Sequence, residues 1–411
     1  MTIELRTLRD SEWEDWYGMI DLAFGGVPEA PQTRALWQDL TESDRAIAAW
    51  DGDEVVGAAA AFSFRITVPG ASQVAAAGVT QVGVKPTHRR RGVLTSLMRR
   101  QLTDLRERGE SLAVLTASEP EIYGRFGYGI GTQCVQAEID TSRVRLNLPE
   151  GTERVRLRLA DPESAGEVCE AVYARRVATR PGMIVRGPGW ERLPLLDPPE
   201  DRSGASPLKC VLAEVDGEVV GYARYAVHPE WETAGPKGNV TLRDLEALDP
   251  VAYAALWRYL FELDLTSRLT VRNRPVDDPW LHMVSDIRRC QVLVRDALHV
   301  RLVEVGAALA ARTYAAPVDA VLDVRDAFCP WNEGRWRLVG DAEGASCERV
   351  DDAEPADLRL GVRELGAAYL GGTRLSALAG AGRVTELRPG ALAEASAAFG
   401  GDAEPWLPHN F

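Results

Sequence analysis

The sequence predicts a mixed fold, part α/β and part α+β, that is divided into several domains. The 411 residues are more than one compact core usually holds. Strand-like and helix-like stretches alternate along the first part of the chain, and the pattern changes at a polar break near residues 145–155 and again from about residue 291. We therefore expect domains at residues 1–150, 151–290 and 291–411.

The first of these domains begins with a predicted strand over Thr2 to Leu8 and an aromatic helical segment that starts near Trp13. A hairpin follows over residues 46–61, because Asp51-Gly52-Asp53 is a tight-turn signal between two apolar runs. The opening of the chain thus reads as strand, helix and hairpin.

The next predicted elements are a strand over Val74 to Val84, a helix whose apolar residues recur at helical spacing until Gly109, and an apolar strand over residues 111–116. A strand, a helix and a second strand in this order form a parallel crossover unit. Such units bind ligands at the carboxyl ends of their strands.

In the second predicted domain, a hairpin turns at Asp216-Gly217 and a helix covers Val251 to Leu263. The residues before that helix, Leu245 to Pro250, contain no basic glycine turn, so a diverged copy of the first domain would have no obvious phosphate site there. From residue 291, short strands and helices predict a small α+β unit.

Composition excludes several classes of protein. The net charge of -14 argues against a nucleic-acid partner and suits a cationic substrate. The six cysteines lie far apart without metal-ligand spacing, so we expect buried reduced thiols, no disulfide framework and no metal site. No long apolar run or leader sequence is present, which predicts a soluble, cytoplasmic protein without a membrane partner.

The segment from Gln81 to Thr95 carries the clearest functional signal. A strand ends at Val84, and a loop with three consecutive arginines leads through Gly92 into a helix. A helix N-terminus attracts anions through its unsatisfied N–H groups and its dipole, and glycine lets a phosphate come close to the backbone. A solvated basic run is the alternative interpretation of these arginines.

The spacing of this turn fits neither a dinucleotide-binding fingerprint nor a Walker loop. It resembles the coenzyme A turn of the GNAT acetyltransferase superfamily, [QR]-x-x-G-x-[GA]. Arg89 and Gly92 match that pattern, whereas Leu94 stands where glycine or alanine is common.

Three distant segments narrow the resemblance to the Eis (enhanced intracellular survival) family. They are Ile122-Tyr123-Gly124-Arg125-Phe126-Gly127-Tyr128-Gly129, Asp326-Ala327-Phe328-Cys329-Pro330-Trp331-Asn332-Glu333-Gly334 and Tyr369-Leu370-Gly371-Gly372. The matches occur in order along essentially the whole chain, including Arg274 to Pro279 in the second domain.

The resemblance implies two tandem GNAT-like domains followed by a domain similar to sterol carrier proteins. It implies acetyl-CoA as cosubstrate, N-acetylation of a small-molecule amine, with aminoglycoside antibiotics as the leading substrate class, and assembly as a homohexamer. Carried over by motif, the coenzyme-binding residues are Val82, Gly83, Val84, Arg90, Arg91, Gly92, Val93, Leu94, Thr95, Ser118 and Glu119.

The family's general acid corresponds to Tyr123, and its general base to the α-carboxylate of the last residue, Phe411. A phenol can protonate a departing thiolate, whereas a terminal carboxylate is by its ordinary pKa a poor base for an ammonium group. The structural alternatives are a packing role for Tyr123 and a frayed end for Phe411. Tyr128 is expected to be structural, and the lone histidines His88 and His409, although candidates for proton relay, are expected to be exposed.

The substrate pocket of the family is acidic and aromatic, which suggests Asp21, Phe24 and Trp37 as lining residues. The penultimate Asn410 departs from the acidic residue of the best-known members and leaves the substrate range open. Two alternatives remain besides aminoglycosides: acetylation of protein lysines or small-metabolite amines, and a lipid-binding or scaffolding role suggested by the third domain.

Overall fold

A computed structural model of the protein describes residues 3–411. The predicted first strand includes Thr2, which lies outside the described residues. The strands in chain order are β1 Glu4–Thr7, β2 Ile47–Asp51, β3 Glu54–Thr67, β4 Gln73–Val84, β5 Leu112–Thr116, β6 Gly129–Ile130, β7 Gln133–Asp140, β8 Arg156–Ala160, β9 Lys209–Val215, β10 Glu218–His228, β11 Trp231–Glu232, β12 Gly235–Pro236, β13 Gly238–Ala247, β14 Thr266–Arg274, β15 Leu293–Asp296, β16 Leu298–Leu302, β17 Val318–Arg325, β18 Gly334–Gly340, β19 Ala345–Arg349, β20 Leu358–Gly361 and β21 Val384–Glu386.

The helices are mostly short, and α3 is the longest in the part of the chain that is described. In chain order they are α1 Trp13–Ala23, α2 Pro31–Leu40, α3 Val93–Glu107, α4 Pro120–Gly124, α5 Gly166–Val177, α6 Pro250–Phe261, α7 Trp280–Met283, α8 Val305–Ala310, α9 Val362–Ala368, α10 Leu375–Gly380 and α11 Ala391–Phe399. None of them, within residues 3–411, combines the length and the apolar character that a bilayer crossing requires.

The chain divides into two compact units. One contains the residues up to Thr132 together with 297–405 and 410–411, and the other contains 133–296 and 406–409. The mixed α/β and α+β fold predicted from the sequence is confirmed.

The first unit is built on a seven-stranded sheet in the order β1-β2-β3-β4-β5-β16-β6. Strands β2 and β3 form the predicted hairpin, and β4 runs parallel to β5 across helix α3, as the crossover pattern predicts. Alternate residues of β2 face opposite sides: Ala48 packs with Trp16 of α1, and Ala49 packs with Leu97 of α3. Helices therefore cover both faces of the sheet.

Strand β16 enters this first sheet and pairs antiparallel with β5. The predicted third domain begins at residue 291, yet its first strand, β15, lies in the sheet of the second unit, and its second strand, β16, lies here between β5 and β6. Strand β7, within the predicted first domain, belongs instead to the sheet of the second unit. The domain boundaries at residues 150 and 290 stay a prediction. In the structure, the chain passes from one seven-stranded sheet to the other near residues 132 and 297.

A five-stranded sheet in the order β19-β18-β17-β20-β21 completes the first unit. Beside it, the buried guanidinium of Arg312 hydrogen-bonds to the carbonyl oxygens of Tyr369 and Phe399 and is enclosed by the aromatic rings of Tyr314, Tyr369 and Phe399. This contact explains the tyrosine of the Tyr369-Leu370-Gly371-Gly372 segment as a packing residue.

The second unit contains a seven-stranded sheet in the order β15-β7-β14-β13-β10-β9-β8, with β13 and β14 parallel. The predicted hairpin at Asp216-Gly217 joins β9 to β10, and the predicted helix is α6. The core between this sheet and α6 includes the stacked rings of Trp257 and Trp280. All six cysteines of the chain are buried free thiols, as expected.

Candidate active site

The candidate active site lies in the first unit, where the parallel strands β4 and β5 separate. They pair only from Ala76↔Leu112 to Gly78↔Val114, although β4 continues to Val84 and β5 to Thr116. Beyond the last pair the two strands diverge. A cavity of about 680 Å³ opens at their carboxyl ends.

A bulge in β4 shapes the wall of this cavity. Ala58 of β3 pairs with Gly83, and Ala60 pairs with Thr80, so two residues of β4 face a single residue of β3. Gln81, inside the bulge, has φ of 52°. A bulge interrupts the ladder of hydrogen bonds and redirects backbone groups, so main-chain donors near Val82 become available to a ligand.

The basic turn leads from β4 into α3 and forms the second wall. Arg90 and Gly92 both have left-handed backbone conformations, with φ of 63° and 82°. Gly92 is the N-cap of α3, and no side chain caps the helix there. The N–H groups of the first helical turn therefore point into the cavity without an intrahelical partner, which is the geometry that binds phosphate.

The turn is fixed to the sheet by His88. This side chain is buried, and its Nε2 lies 3.1 Å from a carboxylate oxygen of Asp51 in the β2–β3 hairpin. Its Nδ1 lies 2.9 Å from the hydroxyl of Thr87. The expectation of an exposed histidine is wrong for His88, because the hairpin supplies an acidic partner that sequence proximity does not reveal. It is also wrong for His409, whose two ring nitrogens are buried.

The structure brings most of the predicted coenzyme residues together around the cavity. Arg91 is not among the lining residues, whereas Phe24, predicted for the substrate, is. The predicted residues that line it are Phe24, Val82, Gly83, Val84, Arg90, Gly92, Val93, Leu94, Thr95, Ser118, Glu119 and Tyr123.

Two cations of the cavity wall were missing from the predicted binding set, Arg89 and Arg125. Arg89 occupies the first position of the turn motif, [QR]-x-x-G-x-[GA]. Arg125 comes from the far side of the cleft, just after α4, where its Nε donates to the carbonyl of Ile122 at 3.3 Å. The sequence offered one signal for Arg125, namely a basic residue directly after Tyr123 and Gly124.

Tyr123 lies on α4, the short helix that follows β5. Burial, and next the negative charge of Glu119, raises the pKa of Tyr123 to about 12. Its ring meets that of Tyr128 edge-on, with centroids 6.0 Å apart. Tyr128 is fully buried, as expected for a structural residue, so Tyr123 is the tyrosine that faces the cavity.

The last residue of the chain lies against the middle of the β3–β4 hairpin. The ring of Phe411 meets that of Phe64 edge-on at 4.9 Å and that of Phe62 at 6.5 Å. It also approaches Gly78, where a Cβ would lie 3.2 Å from the Phe411 ring. Since Gly78 belongs to the last pair between β4 and β5, the end of the chain packs where the strands begin to diverge.

The three predicted substrate residues have different surroundings. Trp37 of α2 stacks on Phe62 at 6.2 Å and so belongs to the aromatic group that contains Phe411. Phe24 is 59% exposed at the end of α1 and lines the cavity. Asp21 does not line it and instead accepts a hydrogen bond from Arg34 at 2.9 Å, which neutralises its charge.

Comparisons with known proteins agree with this geometry. Residues 4–131 and 182–302 each match a model described as an acetyltransferase (GNAT) domain, and residues 305–408 match a sterol carrier protein domain. The chain is 65% identical, over the full length of both proteins, to an uncharacterized N-acetyltransferase of Streptomyces avermitilis. It is 34% identical to N-acetyltransferase Eis of Mycobacterium tuberculosis, covering 96% of this chain and 97% of that protein. This chain belongs to the Eis family of N-acetyltransferases.

Solved structures of the Eis family and of the wider superfamily extend the match. The crystal structure of Eis1 from Mycobacterium abscessus superposes with a TM-score of 0.83 at 35% identity and covers all of both chains. A GCN5-related N-acetyltransferase from Anabaena variabilis has a TM-score of 0.84 at 18% identity, again over both full chains, and shows the shared fold alone.

Two of the three segments typical of the Eis family, 122–129 and 326–334, pack together beside the cleft. Gly127 has φ of 85°, and a Cβ there would come within 2.9 Å of the Arg301 guanidinium. Arg301 in turn donates to the buried carboxylate of Asp326 at 2.6 Å, and Asp326 also accepts from the backbone N–H of Cys329 at 3.0 Å. Phe328 packs edge-on against Phe126 at 5.0 Å. These residues support α4, and with it Tyr123.

Proposed function

We propose that the protein transfers the acetyl group of acetyl-CoA to an amine of a small cationic molecule, with aminoglycoside-type polyamines as the leading class. The observation that carries the proposal is the cleft between β4 and β5, which combines an uncapped helix N-terminus with Tyr123 in one cavity. Acetyl-CoA supplies an acetyl group activated as a thioester. The protein has to hold this cosubstrate, stabilise negative charge, and move two protons.

The turn from Arg89 to Thr95 fits the pyrophosphate of the cosubstrate. The free N–H groups at the start of α3 would donate hydrogen bonds to phosphate oxygens, and Arg89 and Arg90 add positive charge beside them. The space around Gly92 is open, since a Cβ there would have no neighbour within 4 Å. A phosphate can therefore approach the backbone directly.

Main-chain N–H groups of the β4 bulge would stabilise the thioester oxygen as it gains negative charge. Val82 and Gly83 line the cavity within or next to this bulge. Donors fixed by a sheet need no reorganisation during the reaction, which is the condition for strong electrostatic stabilisation.

Tyr123 would act as the general acid. Because its pKa is raised to about 12, the phenol keeps its proton throughout the neutral and mildly alkaline range. The thiol of the coenzyme belongs to a class with a pKa of about 8.5, so complete transfer of the phenol proton to a free thiolate is uphill, and Tyr123 would assist chiefly by donating a hydrogen bond that strengthens as the carbon–sulfur bond breaks. Before that point it serves as a hydrogen-bond donor to sulfur.

The α-carboxylate of Phe411 would act as the general base. The aromatic contacts with Phe62 and Phe64 support this role, because they hold the end of the chain beside Gly78, where the cleft begins. Without these contacts a chain end would sample many positions.

The amine would enter past the aromatic side chains of Trp37 and Phe24. Both are suited to the ring faces or the cationic groups of a sugar-derived polyamine. The charge of Asp21 is already paired with Arg34, and the penultimate residue is the uncharged Asn410. This reduced acidity favours, as a second candidate, a smaller amine such as a metabolite or a protein lysine.

We also propose assembly as a homohexamer in the cytoplasm. Apolar side chains at the exposed strand β15 support an assembly, because Leu293 is 58% and Val294 51% exposed. Sedimentation of the purified protein at micromolar concentration tests the number of subunits: six supports the proposal, and one or two would refute it.

The proposed reaction is tested by measuring thiol release from acetyl-CoA with an aminoglycoside, a lysine peptide and a simple diamine under the same conditions. Amine-dependent release supports acetyl transfer, and the order of kcat/KM identifies the substrate class. Removing Phe411, or adding one residue after it, is expected to abolish turnover while coenzyme binding persists. Near-normal turnover in both variants would refute the terminal base and leave the acetyltransferase assignment intact.

A further inference from the structure

The second unit contains a cavity of its own, with a volume of about 520 Å³. It opens where the parallel strands β13 and β14 separate: their pairing ends at Thr241↔Thr270, while the strands continue to Ala247 and Arg274. The first sheet opens its cleft in the same way between β4 and β5. The position is therefore one that this architecture uses for ligands.

The chemistry of this second cavity differs from that of the first. Helix α6 begins beside it, but Asp249 caps the helix and accepts the N–H groups of Val251 at 2.9 Å and Ala252 at 2.8 Å. Pro250, the first helical residue, has no N–H to offer. The protein's own carboxylate thus occupies the anion-binding end of the helix, and a second coenzyme A pyrophosphate would be repelled there.

A positively charged side chain, Arg176 near the end of α5, lines this cavity. Its Nε forms an ion pair with Glu246 at 3.4 Å, which is the only hydrogen bond that the Arg176 side chain makes to any residue in 3–411. The Arg176 side chain is 31% exposed, and its two terminal nitrogens make no hydrogen bond to the described residues. Two parallel N–H donors of this kind match a carboxylate.

The neighbouring arginines are already engaged. Arg274 donates to Asp278 at 2.6 Å and to the carbonyl of Leu245 at 2.7 Å, and Arg180 donates to Asp277 at 2.7 Å. Glu246 is buried, and burial raises its pKa above the ordinary value against the opposing charges of Arg274 and Arg176.

The remainder of the wall is mostly apolar and aromatic. Tyr253 and Met283 line the cavity together with Trp406 from the C-terminal segment. The indole of Trp406 is held by a cation–π contact with Arg274 at 4.9 Å and by an Nε1 hydrogen bond to the Asn273 carbonyl at 3.2 Å. The volume is within the range of small-molecule sites.

We propose that this cavity binds a small organic carboxylate, with the anionic head on Arg176 and an apolar body against Tyr253, Met283 and Trp406. The site is distinct from the cleft for acetyl-CoA and needs no acetyl transfer. Because Trp406 stands five positions before Phe411, the bound carboxylate contacts the segment that leads to the end of the chain.

Calorimetric titration of the full-length protein with 4-phenylbutyrate tests the proposal. We expect one molecule bound per chain, and at least tenfold weaker binding of 4-phenylbutanamide and 4-phenylbutylamine, which keep the apolar body and lack the anion. Saturating coenzyme A should leave the titration unchanged. Equal affinity for the amide, tighter binding of the amine, competition by coenzyme A, or no binding would each overturn the proposal.

Matched variants locate the site. Arg176→Gln should weaken binding at least tenfold, whereas Arg175→Gln, on the exposed neighbour in the same helix, should leave it unchanged. Met283→Trp fills the cavity and should abolish binding while Arg176 is intact, which separates the cavity from a surface arginine. If Arg176→Gln lowers thermal stability, Arg176→Lys provides the comparison. Unchanged affinity in the Met283 variant would refute the location.

Discussion

Replacing Gly92 by alanine separates coenzyme binding from folding. The new methyl group meets no atom within 4 Å, so the cost to folding arises only from the left-handed φ of 82°. That conformation costs a non-glycine residue about 1–2 kcal/mol. The same methyl group lies where a phosphate would approach the N–H groups of α3. Loss of one charge-assisted hydrogen bond, worth about 1.5–3 kcal/mol, would weaken coenzyme A binding by roughly 10- to 150-fold.

Gly109→Ala is the matched control for this change. Gly109 follows the other end of α3, has φ of 76°, and likewise has no neighbour within 4 Å of a built Cβ. Both variants should lower the unfolding temperature by similar amounts, about 2–4 °C for each kcal/mol. Titration calorimetry with coenzyme A should show weakened binding for Gly92→Ala alone. Equal dissociation constants for the two variants would show that the turn does not hold the pyrophosphate.

Three further changes test other parts of the structure. Tyr123→Phe should lower kcat about 100-fold without altering the coenzyme A dissociation constant, and an unchanged kcat would make Tyr123 structural. Arg301→Met should lower the free energy of unfolding by about 3–5 kcal/mol in denaturant titrations, because it leaves the buried carboxylate of Asp326 without its cationic partner. Adding Asp326→Asn should restore part of this loss. Burial, and next the charge of Arg186, lowers the pKa of His409. Below pH 6.5 the unfolded chain therefore gains a proton on this histidine and the folded chain does not. The free energy of unfolding should fall there by up to about 1.4 kcal/mol per pH unit. His409→Gln should remove that component, and identical pH profiles of the two proteins would refute it.

Local pattern predicted the elements that carry the coenzyme turn. The period of the apolar residues after Gly92 marked α3, and the turn at Asp51-Gly52-Asp53 marked the β2–β3 hairpin, because both signals lie within a few residues. The strand before the turn, β4, begins one residue earlier than predicted, at Gln73, and ends at Val84 as expected. Short-range physics suffices for such features.

The remaining features depend on contacts between distant parts of the chain. The partner of His88 is 37 residues away, and the tail ring of Phe411 packs against a hairpin near the start of the chain. Insertion of β16 beside β5 joins residues about 190 positions apart. No local pattern specifies these pairings, because many strands and rings in the sequence offer equivalent surfaces.

Two residues show how packing changes a correct motif. Asp21 has the acidic character expected of a substrate pocket, but Arg34 from the next helix neutralises it. Arg91 belongs to the arginine run of the turn, yet Arg89 and Arg90 line the cavity and Arg91 does not. Side chains at neighbouring positions of a tight turn point in different directions, and the sequence alone does not show which of them face the cavity.

A crystal structure of the protein with acetyl-CoA bound would test most directly whether the cleft between β4 and β5 holds the coenzyme beside Tyr123. We expect the pyrophosphate on the backbone N–H groups of Val93 to Thr95, and the thioester sulfur within hydrogen-bonding distance of the Tyr123 hydroxyl. A coenzyme found in the cavity between β13 and β14, or a thioester remote from Tyr123, would contradict this expectation.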